Sequence, residues 1–177
     1  MIGVLVSGEG TNLQALIDAG LPIACVASNK AHVRALERAE DAGIPTRVFE
    51  LTNYVDREHR DRELADWLTL SGVDLVVLAG YMHLLTNAFL ERFPDRIVNV
   101  HPSLLPQFPG AHPIDDALAA GVNTTGVTVH YVDEGIDAGH VIRQEPIPIE
   151  PRETLMERIH AVEHRLLPEV VRELCAR

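Results

Sequence analysis

The chain has 177 residues, 46% of them hydrophobic, and this length allows one domain with a sizeable core. Its formal net charge of −11 argues against nucleic acid as a partner, because binding to a phosphate backbone depends on clustered Lys and Arg. No apolar run approaches the ~20 residues of a membrane helix, and the N-terminus lacks the basic flank of a signal peptide, so we expect a cytoplasmic protein without membrane contact.

The first hundred residues alternate short apolar runs with longer helical patterns. Strands are predicted at 2–6, 23–28, 46–49, 73–79 and 96–100. Helices are predicted within 11–20, 31–43, 54–72 and 86–93. Because the strands are apolar on both faces and a helix separates each from the next, they indicate a parallel sheet with right-handed crossovers. We therefore expect residues 1–100 to form a Rossmann-like, phosphate-binding half.

The rest of the chain has a different pattern. It predicts a helix at 114–121, strands at 125–132 and 140–149, and a last helix from Arg152 to about Leu174. The loop "DEGIDAG" between the two strands indicates an antiparallel hairpin at the sheet edge. The last helix has an apolar stripe that should cover one face of the sheet. We predict a single α/β domain over residues 1–177: a Rossmann-like, mostly parallel sheet flanked by helices, with an antiparallel C-terminal hairpin.

The stretch "SGEGTNL" lies between the first strand and the first helix. A helix N-terminus offers free N–H groups and a positive dipole end at this place, so Gly8, Gly10, Thr11 and Asn12 are candidates for cradling a phosphate. The dinucleotide fingerprint would require glycine where Leu13 stands, which argues against NAD. The alternative is a tight turn capped by Thr11 or Asn12 that binds nothing.

A second group of polar residues ends the strand "RIVNV". Side chains alternate along a strand, so Asn99 and His101 should project to the same side, at the sheet edge where ligands gather. Two such donors suit an oxygen that gains negative charge in acyl transfer. Asp137, between glycines in the later loop, is expected to approach His101 and favour its charged form, with Thr128 and His130 on the adjoining wall.

The sequence offers no obvious protein nucleophile, since it has no GxSxG motif and neither of its two cysteines lies near these residues. The attacking group is therefore expected to belong to a substrate, with direct acyl transfer between two bound ligands. Two alternatives remain open. Asn99 and His101 would serve only buried backbone groups, or His101, His112, His130 and Asp137 would bind a metal, although no HxH or HExxH spacing supports this and we expect no metal.

Five motifs together resemble a known family. In order and spacing, "VSGEGTNLQALI", "SNK", "LAGYMHLL", "NVHPSLLPQFPG" and "TGVTVHYVDEGIDAG" are similar to the phosphoribosylglycinamide formyltransferases, folate-dependent enzymes of purine synthesis. The resemblance implies that the amine of glycinamide ribonucleotide attacks the formyl carbon of 10-formyltetrahydrofolate. It also implies that Asn99 and protonated His101 stabilise the oxyanion while Asp137 supports His101 and the proton transfers.

The resemblance further implies two binding regions. Toward the ribonucleotide and its phosphate it places Gly8, Gly10, Thr11, Asn12, Gly110, Thr128, His160 and Glu163. Toward the folate it places Arg57, Met82, His83, Leu84, Leu85, Asn99, Val132 and Asp137, and residues 101–177 are expected to form the folate-side half of the domain. It also implies a cis bond between Leu105 and Pro106. Three positions depart from the family pattern, Thr11 for Ser, His83 for Arg in some relatives, and His160 for Lys or Gln.

Related activities remain as alternatives. Methionyl-tRNA formyltransferase and formyltetrahydrofolate hydrolase carry similar "HPSLLP" segments, but each is expected to need a further domain that these 177 residues do not contain. A phosphometabolite-binding module without catalysis would use the glycine loop and have no need of Asn99, His101 and Asp137 together. The sequence leaves a homodimer open.

Overall fold

Seven strands form one mixed sheet in the computed structural model, which describes residues 1–176. The strands are β1 (Ile2–Val6), β2 (Ile23–Ser28), β3 (Thr46–Val48), β4 (Leu75–Leu78), β5 (Ile97–His101), β6 (Thr124–Tyr131) and β7 (Val141–Pro148). Their order across the sheet is β3-β2-β1-β4-β5-β6-β7. β1 to β5 pair in parallel, whereas β6 is antiparallel to β5 and β7 to β6. The predicted fold class is confirmed.

Within the described residues, six α-helices connect or follow these strands. They are α1 (Thr11–Asp18), α2 (Arg34–Asp41), α3 (Arg57–Leu70), α4 (Asn87–Leu90), α5 (Pro113–Ala120) and α6 (Leu155–Cys175). α3 begins later than predicted because the Asp56 side chain caps it, accepting the His59 N–H at 2.7 Å. The helix predicted at 86–93 is only one turn long. In the part of the chain that the structure describes, no helix is both long and apolar enough to span a membrane.

The order of the strands determines where a cleft can form. The chain runs from β1 outward through β2 to β3 and then returns to the other side of β1 as β4. In such sheets the crevice lies at the carboxyl ends of the strands, where the direction of winding reverses. The glycine loop (residues 8–12) follows β1 and residues 80–86 follow β4, so both loops flank this crevice. We call residues 80–86 the β4 loop.

Alternate residues of the central strands supply two cores. Val4 and Val6 belong to one buried cluster with residues of α1, α2 and α6, whereas Leu5 belongs to the other cluster with residues of α3 and α4. The apolar stripe predicted on the last helix packs as expected, with Ile159 and Val170 almost fully buried. Both faces of the sheet are thus covered, and the strand ends are left to form a site.

Candidate active site

The end of β5 carries two polar side chains on one face of the sheet. Asn99 pairs with His130 across the β5–β6 ladder, and His101 pairs with Thr128. Directly opposed residues of antiparallel strands share a face, so all four side chains project to the same side. The register of one strand pair therefore brings an amide and two imidazoles together.

Asp137 completes this group from the loop between β6 and β7. Its backbone is left-handed, with φ of 50°, and its Oδ2 accepts the Gly110 N–H at 2.8 Å. The same oxygen lies 3.5 Å from His101 Nδ1. The other oxygen, Oδ1, lies 3.5 Å from Asn99 Nδ2 and 3.6 Å from His130 Nε2. One carboxylate thus faces all three side chains of the β5–β6 ladder that can donate to it.

The surroundings of Asp137 keep it ionised. Burial acts to raise its pKa, but the hydrogen bonds from His130 and from the Gly110 N–H, together with the charge of His101, outweigh burial and lower the pKa below its usual value. The group therefore carries a negative charge at neutral pH, close to both ladder histidines.

The two histidines are held by backbone carbonyls. His101 is 5% exposed, and its Nε2 donates to the Phe108 carbonyl at 2.9 Å while Nδ1 faces Asp137. Both of its nitrogens thus face acceptors. His130 Nδ1 donates to the Tyr131 carbonyl at 2.8 Å, and its Nε2 lies 3.2 Å from Asn99 Nδ2 and 3.6 Å from Asp137 Oδ1. His130 is thus held against both the Asn99 amide and the Asp137 carboxylate.

These groups lie at the base of a cavity of about 760 Å³. Its wall includes the start of α1, the β4 loop, the end of β5, the loop before β7 and one face of α6. The predicted site residues on it are Thr11, Asn12, Arg57, Met82, His83, Leu84, Leu85, Asn99, His101, Gly110, Val132, Asp137, His160 and Glu163. Side chains far apart in the sequence thus share one cavity.

The glycine loop is held close to α2. Gly10 has φ of 72°, and a Cβ at this position would lie 2.6 Å from the Ala35 Cβ, so only glycine fits without a shift. The Gly8 carbonyl accepts the Ala35 N–H at 3.0 Å. Gly8 and Gly10 thus shape the loop, while Thr11 and Asn12 at the start of α1 line the cavity.

A buried carboxyl lies beside this helix start. Glu163 of α6 is 7% exposed, and Asn12 Nδ2 donates to its Oε2 at 3.4 Å. Burial raises the pKa of Glu163 to about 7, against the smaller opposing effect of the Asn12 hydrogen bond. Asn12 Oδ1 is itself buried and has no hydrogen-bond partner within residues 1–176. The end of the cavity beside α1 thus holds a carboxyl that is half protonated near neutral pH.

The β4 loop forms an apolar wall on the other side of the cavity. Met82 and Leu84 are 68% and 55% exposed, and Ile136 across the opening is 56% exposed. The Met82 N–H donates to Ser7 Oγ at 2.9 Å, and Ser7 Oγ donates to Asn29 Oδ1 at 2.5 Å. The buried Asn29 of the "SNK" motif therefore supports this wall through Ser7.

The bend that follows β5 is fixed as expected, since the bond between Leu105 and Pro106 is cis. Among the described residues, no group of three or more His, Cys, Asp or Glu side chains is arranged to hold a metal ion.

Comparison with known proteins identifies the family. Residues 1–171 match the formyl transferase family. The chain belongs to that family. The phosphoribosylglycinamide formyltransferase of Haemophilus influenzae is 43% identical to it, over 97% of this chain and 85% of that protein. The glycinamide ribonucleotide transformylase 1 structure from Symbiobacterium toebii has a TM-score of 0.94 and 45% identity, covering 97% of this chain and 85% of that one. The resemblance seen in the sequence motifs is confirmed.

A second group of relatives is much longer. The trifunctional purine biosynthetic protein adenosine-3 of Drosophila pseudoobscura pseudoobscura is 46% identical over 96% of this chain, which matches 13% of that protein's length. The chain thus spans about an eighth of the length of that relative.

Three of the predicted site residues, Gly8, Gly10 and Thr128, do not line the cavity. Thr128 is fully buried, and its Oγ1 donates to the Ser103 carbonyl at 2.6 Å while accepting from the Leu105 N–H and from Gln144 Nε2. The Thr128 hydroxyl thus has a protein partner for its one donor and for both of its acceptor positions. Thr128 holds the bend after β5 in place.

Sequence reasoning did not anticipate several supporting residues. Ser7 and Asn29 each follow directly after a strand, and no local pattern marks either of them. Their role depends on the hydrogen bond from Met82 to Ser7, which joins positions 75 residues apart. Arg60 and Asp61 of α3 are fully buried although a charged stretch indicates a solvent-exposed face. Helical spacing was the available signal, since both share the buried side of α3 with Leu64 and Leu68.

Proposed function

We propose that this protein transfers the formyl group of 10-formyltetrahydrofolate to the amine of glycinamide ribonucleotide, a step of purine synthesis. The observation that carries the proposal is the cluster of Asn99, His101 and Asp137 at the base of a cavity between a helix N-terminus and an apolar wall. The relatives of similar length that bear this activity in their names support it.

The chemistry follows from the donors in the cluster. The substrate amine attacks the formyl carbon, so a C–N bond forms and the carbonyl oxygen becomes negative. The Asn99 amide and a protonated His101 donate to that oxygen. The bond to N10 of the folate then breaks, and the amine's proton passes to the departing nitrogen, while Asp137 stays beside His101 Nδ1. The separations of 3.5 Å between Asp137 and its two donors are longer than tight charge-assisted bonds, which leaves both donors free to turn toward substrate.

The two substrates are assigned to opposite ends of the cavity. The N-terminus of α1, with Thr11 and Asn12, takes the phosphate of the ribonucleotide through free N–H groups and the helix dipole. Glu163 and His160 lie at this end. The apolar β4 loop and Val132 take the folate. In this arrangement the reacting amine and formyl group meet at the end of β5.

The proposal extends to the setting of the enzyme. It works as one domain in the cytoplasm, alone or as a homodimer, on small-molecule substrates and without a metal or nucleic acid. The formal net charge of −11 supports the absence of a nucleic-acid partner.

The test is formyl transfer to glycinamide ribonucleotide, with water alone as acceptor in the control. We expect His101→Ala to lower kcat by roughly 10²-fold to 10³-fold, because one oxyanion donor is lost, while the ribonucleotide still binds. His140→Ala is the matched control, since His140 is exposed and does not line the cavity. Transfer by His101→Ala at the wild-type rate would exclude the assigned mechanism, and hydrolysis without transfer would indicate a hydrolase.

A further inference from the structure

A charged pair lies fully buried beneath the β4 loop. Arg60 and Asp61 of α3 are both 0% exposed. Arg60 donates to Asp61 Oδ1 from Nε at 2.9 Å and from Nη2 at 2.6 Å. Removing two charges from water is costly unless their remaining donors and acceptors are also satisfied. The further partners of this pair therefore indicate what it is for.

Both further partners belong to the β4 loop. Arg60 Nη1 lies 2.6 Å from His83 Nδ1, and Asp61 Oδ2 accepts the Thr86 N–H at 2.7 Å. The pair thus holds the loop at two points three residues apart. Leu84 and Leu85 lie between these points and line the cavity.

The contact with Arg60 determines the tautomer of His83. A guanidinium only donates hydrogen bonds, so His83 Nδ1 must accept and the ring proton must be on Nε2. His83 lines the cavity, and its Nε2 makes no hydrogen bond within the described residues. The ring therefore offers one N–H donor to a ligand.

The charges around His83 favour the neutral ring. Burial lowers its pKa, and the positive charges of Arg60, Arg57 and Lys30 lower it further, against the opposing effect of Asp61. A ring held neutral keeps Nδ1 as an acceptor across the neutral pH range.

We propose that Arg60 and Asp61 are positioning residues for the β4 loop. They hold the segment from His83 to Thr86 in place and present His83 as a single N–H donor toward the bound formyl folate. This rests on the proposed function for the identity of the ligand. The underlying link between Arg60 and the His83 ring can be tested without any substrate.

The kinetic test uses Arg60→Lys, which keeps the charge but lacks the planar fork that bonds Asp61 and His83 together. We expect the KM for formyl folate to rise about tenfold, as for one lost hydrogen bond, with kcat and the KM for glycinamide ribonucleotide within twofold of wild type. Arg62→Lys is the control on the same helix, because Arg62 is exposed and pairs with Glu58. An unchanged folate KM in a folded Arg60→Lys protein overturns the proposal.

A double-mutant comparison separates positioning from general support of the fold. If Arg60 acts through His83, Arg60→Lys should not raise the folate KM further in a His83→Leu background. If Arg60→Lys raises the folate KM in the His83→Leu background as much as it does in wild type, Arg60 does not act through His83, and the proposal is overturned. His83→Gln, which retains an acceptor and a donor, should restore an affinity within about threefold of wild type, and failure to do so counts against the donor role.

Nitrogen NMR of the His83 ring provides a readout independent of activity. Wild type should show the neutral Nε2–H tautomer at pH 7, and Arg60→Lys should give a mixture of tautomers. A wild-type ring protonated on Nδ1 overturns the proposal even if the Arg60 variant does not fold. If wild type fails to formylate glycinamide ribonucleotide, the proposed function is lost, while the NMR result still decides whether Arg60 fixes the ring.

Discussion

Replacing Glu163 by Gln tests the electrostatics of the cavity end beside α1, and the test needs no substrate. The carboxyl is 7% exposed and receives one hydrogen bond, from Asn12, so burial raises its pKa from 4.5 to about 7. The folded state therefore binds a proton that the unfolded state has lost between these two pH values. It follows that the stability tied to this group is complete below about pH 4.5 and is lost as pH rises toward 7 and above.

The size of the effect follows from the pKa difference. From 4.5 to about 7, at about 1.4 kcal/mol per pKa unit, the ionisable carboxyl costs about 3 kcal/mol at pH 8. Gln is neutral at every pH and pays none of this cost. The Gln amide also has N–H groups. One of them can donate to the buried Asn12 Oδ1, which has no hydrogen-bond partner within residues 1–176 of the wild-type protein. We expect the Glu163→Gln protein to gain stability over wild type by about 2–3 kcal/mol between pH 5 and pH 8.

Urea unfolding followed by circular dichroism at pH 5, 6, 7 and 8 measures this difference. Glu157→Gln on the exposed side of the same helix is the control, and its offset from wild type should not change with pH. A difference between Glu163→Gln and wild type that stays constant from pH 5 to 8, or that narrows, would refute the reasoning from burial.

Two further predictions concern the loops around the cluster. Gly10→Ala should lower the free energy of unfolding and weaken ribonucleotide binding, because the new Cβ would lie 2.6 Å from the Ala35 Cβ on a left-handed backbone. Gly20→Ala is the control in the same denaturation assay: its backbone is also left-handed but its surroundings are open, so it should lose only the ~1–2 kcal/mol of backbone strain. Equal losses of unfolding free energy in the two variants would contradict the clash. In the wild-type protein, kcat/KM should fall at acid pH as the Asp137 carboxylate is protonated below its lowered pKa. Asp137→Asn should abolish this acid limb of the pH profile, and an unchanged limb would argue against the pairing of Asp137 with His101.

The elements that could be predicted from the sequence are those whose signal is local. Each strand from β1 to β5 is an apolar run bounded by turn residues, and the structure reproduces these runs to within two residues at each end. Strand alternation likewise places Asn99 and His101 on one face, because the period of two does not depend on the rest of the fold. The glycine loop was identifiable because a sharp strand-to-helix turn restricts residue type.

Features set by distant partners were not predictable. The Thr128 hydroxyl is directed inward by Ser103 and Gln144, which come from segments 25 and 16 residues away. A strand pattern shows on which face such a side chain lies, and not whether a buried carbonyl or a ligand meets it there. The same limit applies to Arg60, since a charged residue on a helix is usually solvated and its burial depends on acceptors brought by the β4 loop.

Direct transfer needs the two walls of the cavity, the start of α1 and the β4 loop, at a fixed distance from each other. Buried hydrogen bonds beneath the β4 loop hold it in place. Ser7, next to the glycine loop, accepts the Met82 N–H of the β4 loop and donates to Asn29. Arg60 and Asp61 hold the far part of the β4 loop to α3. A buried donor left without a partner costs about 1–3 kcal/mol, so either loop can move away only by giving up one of these bonds. Two substrates bound on opposite walls would therefore meet in a preset geometry at the end of β5, which is what direct transfer between them requires.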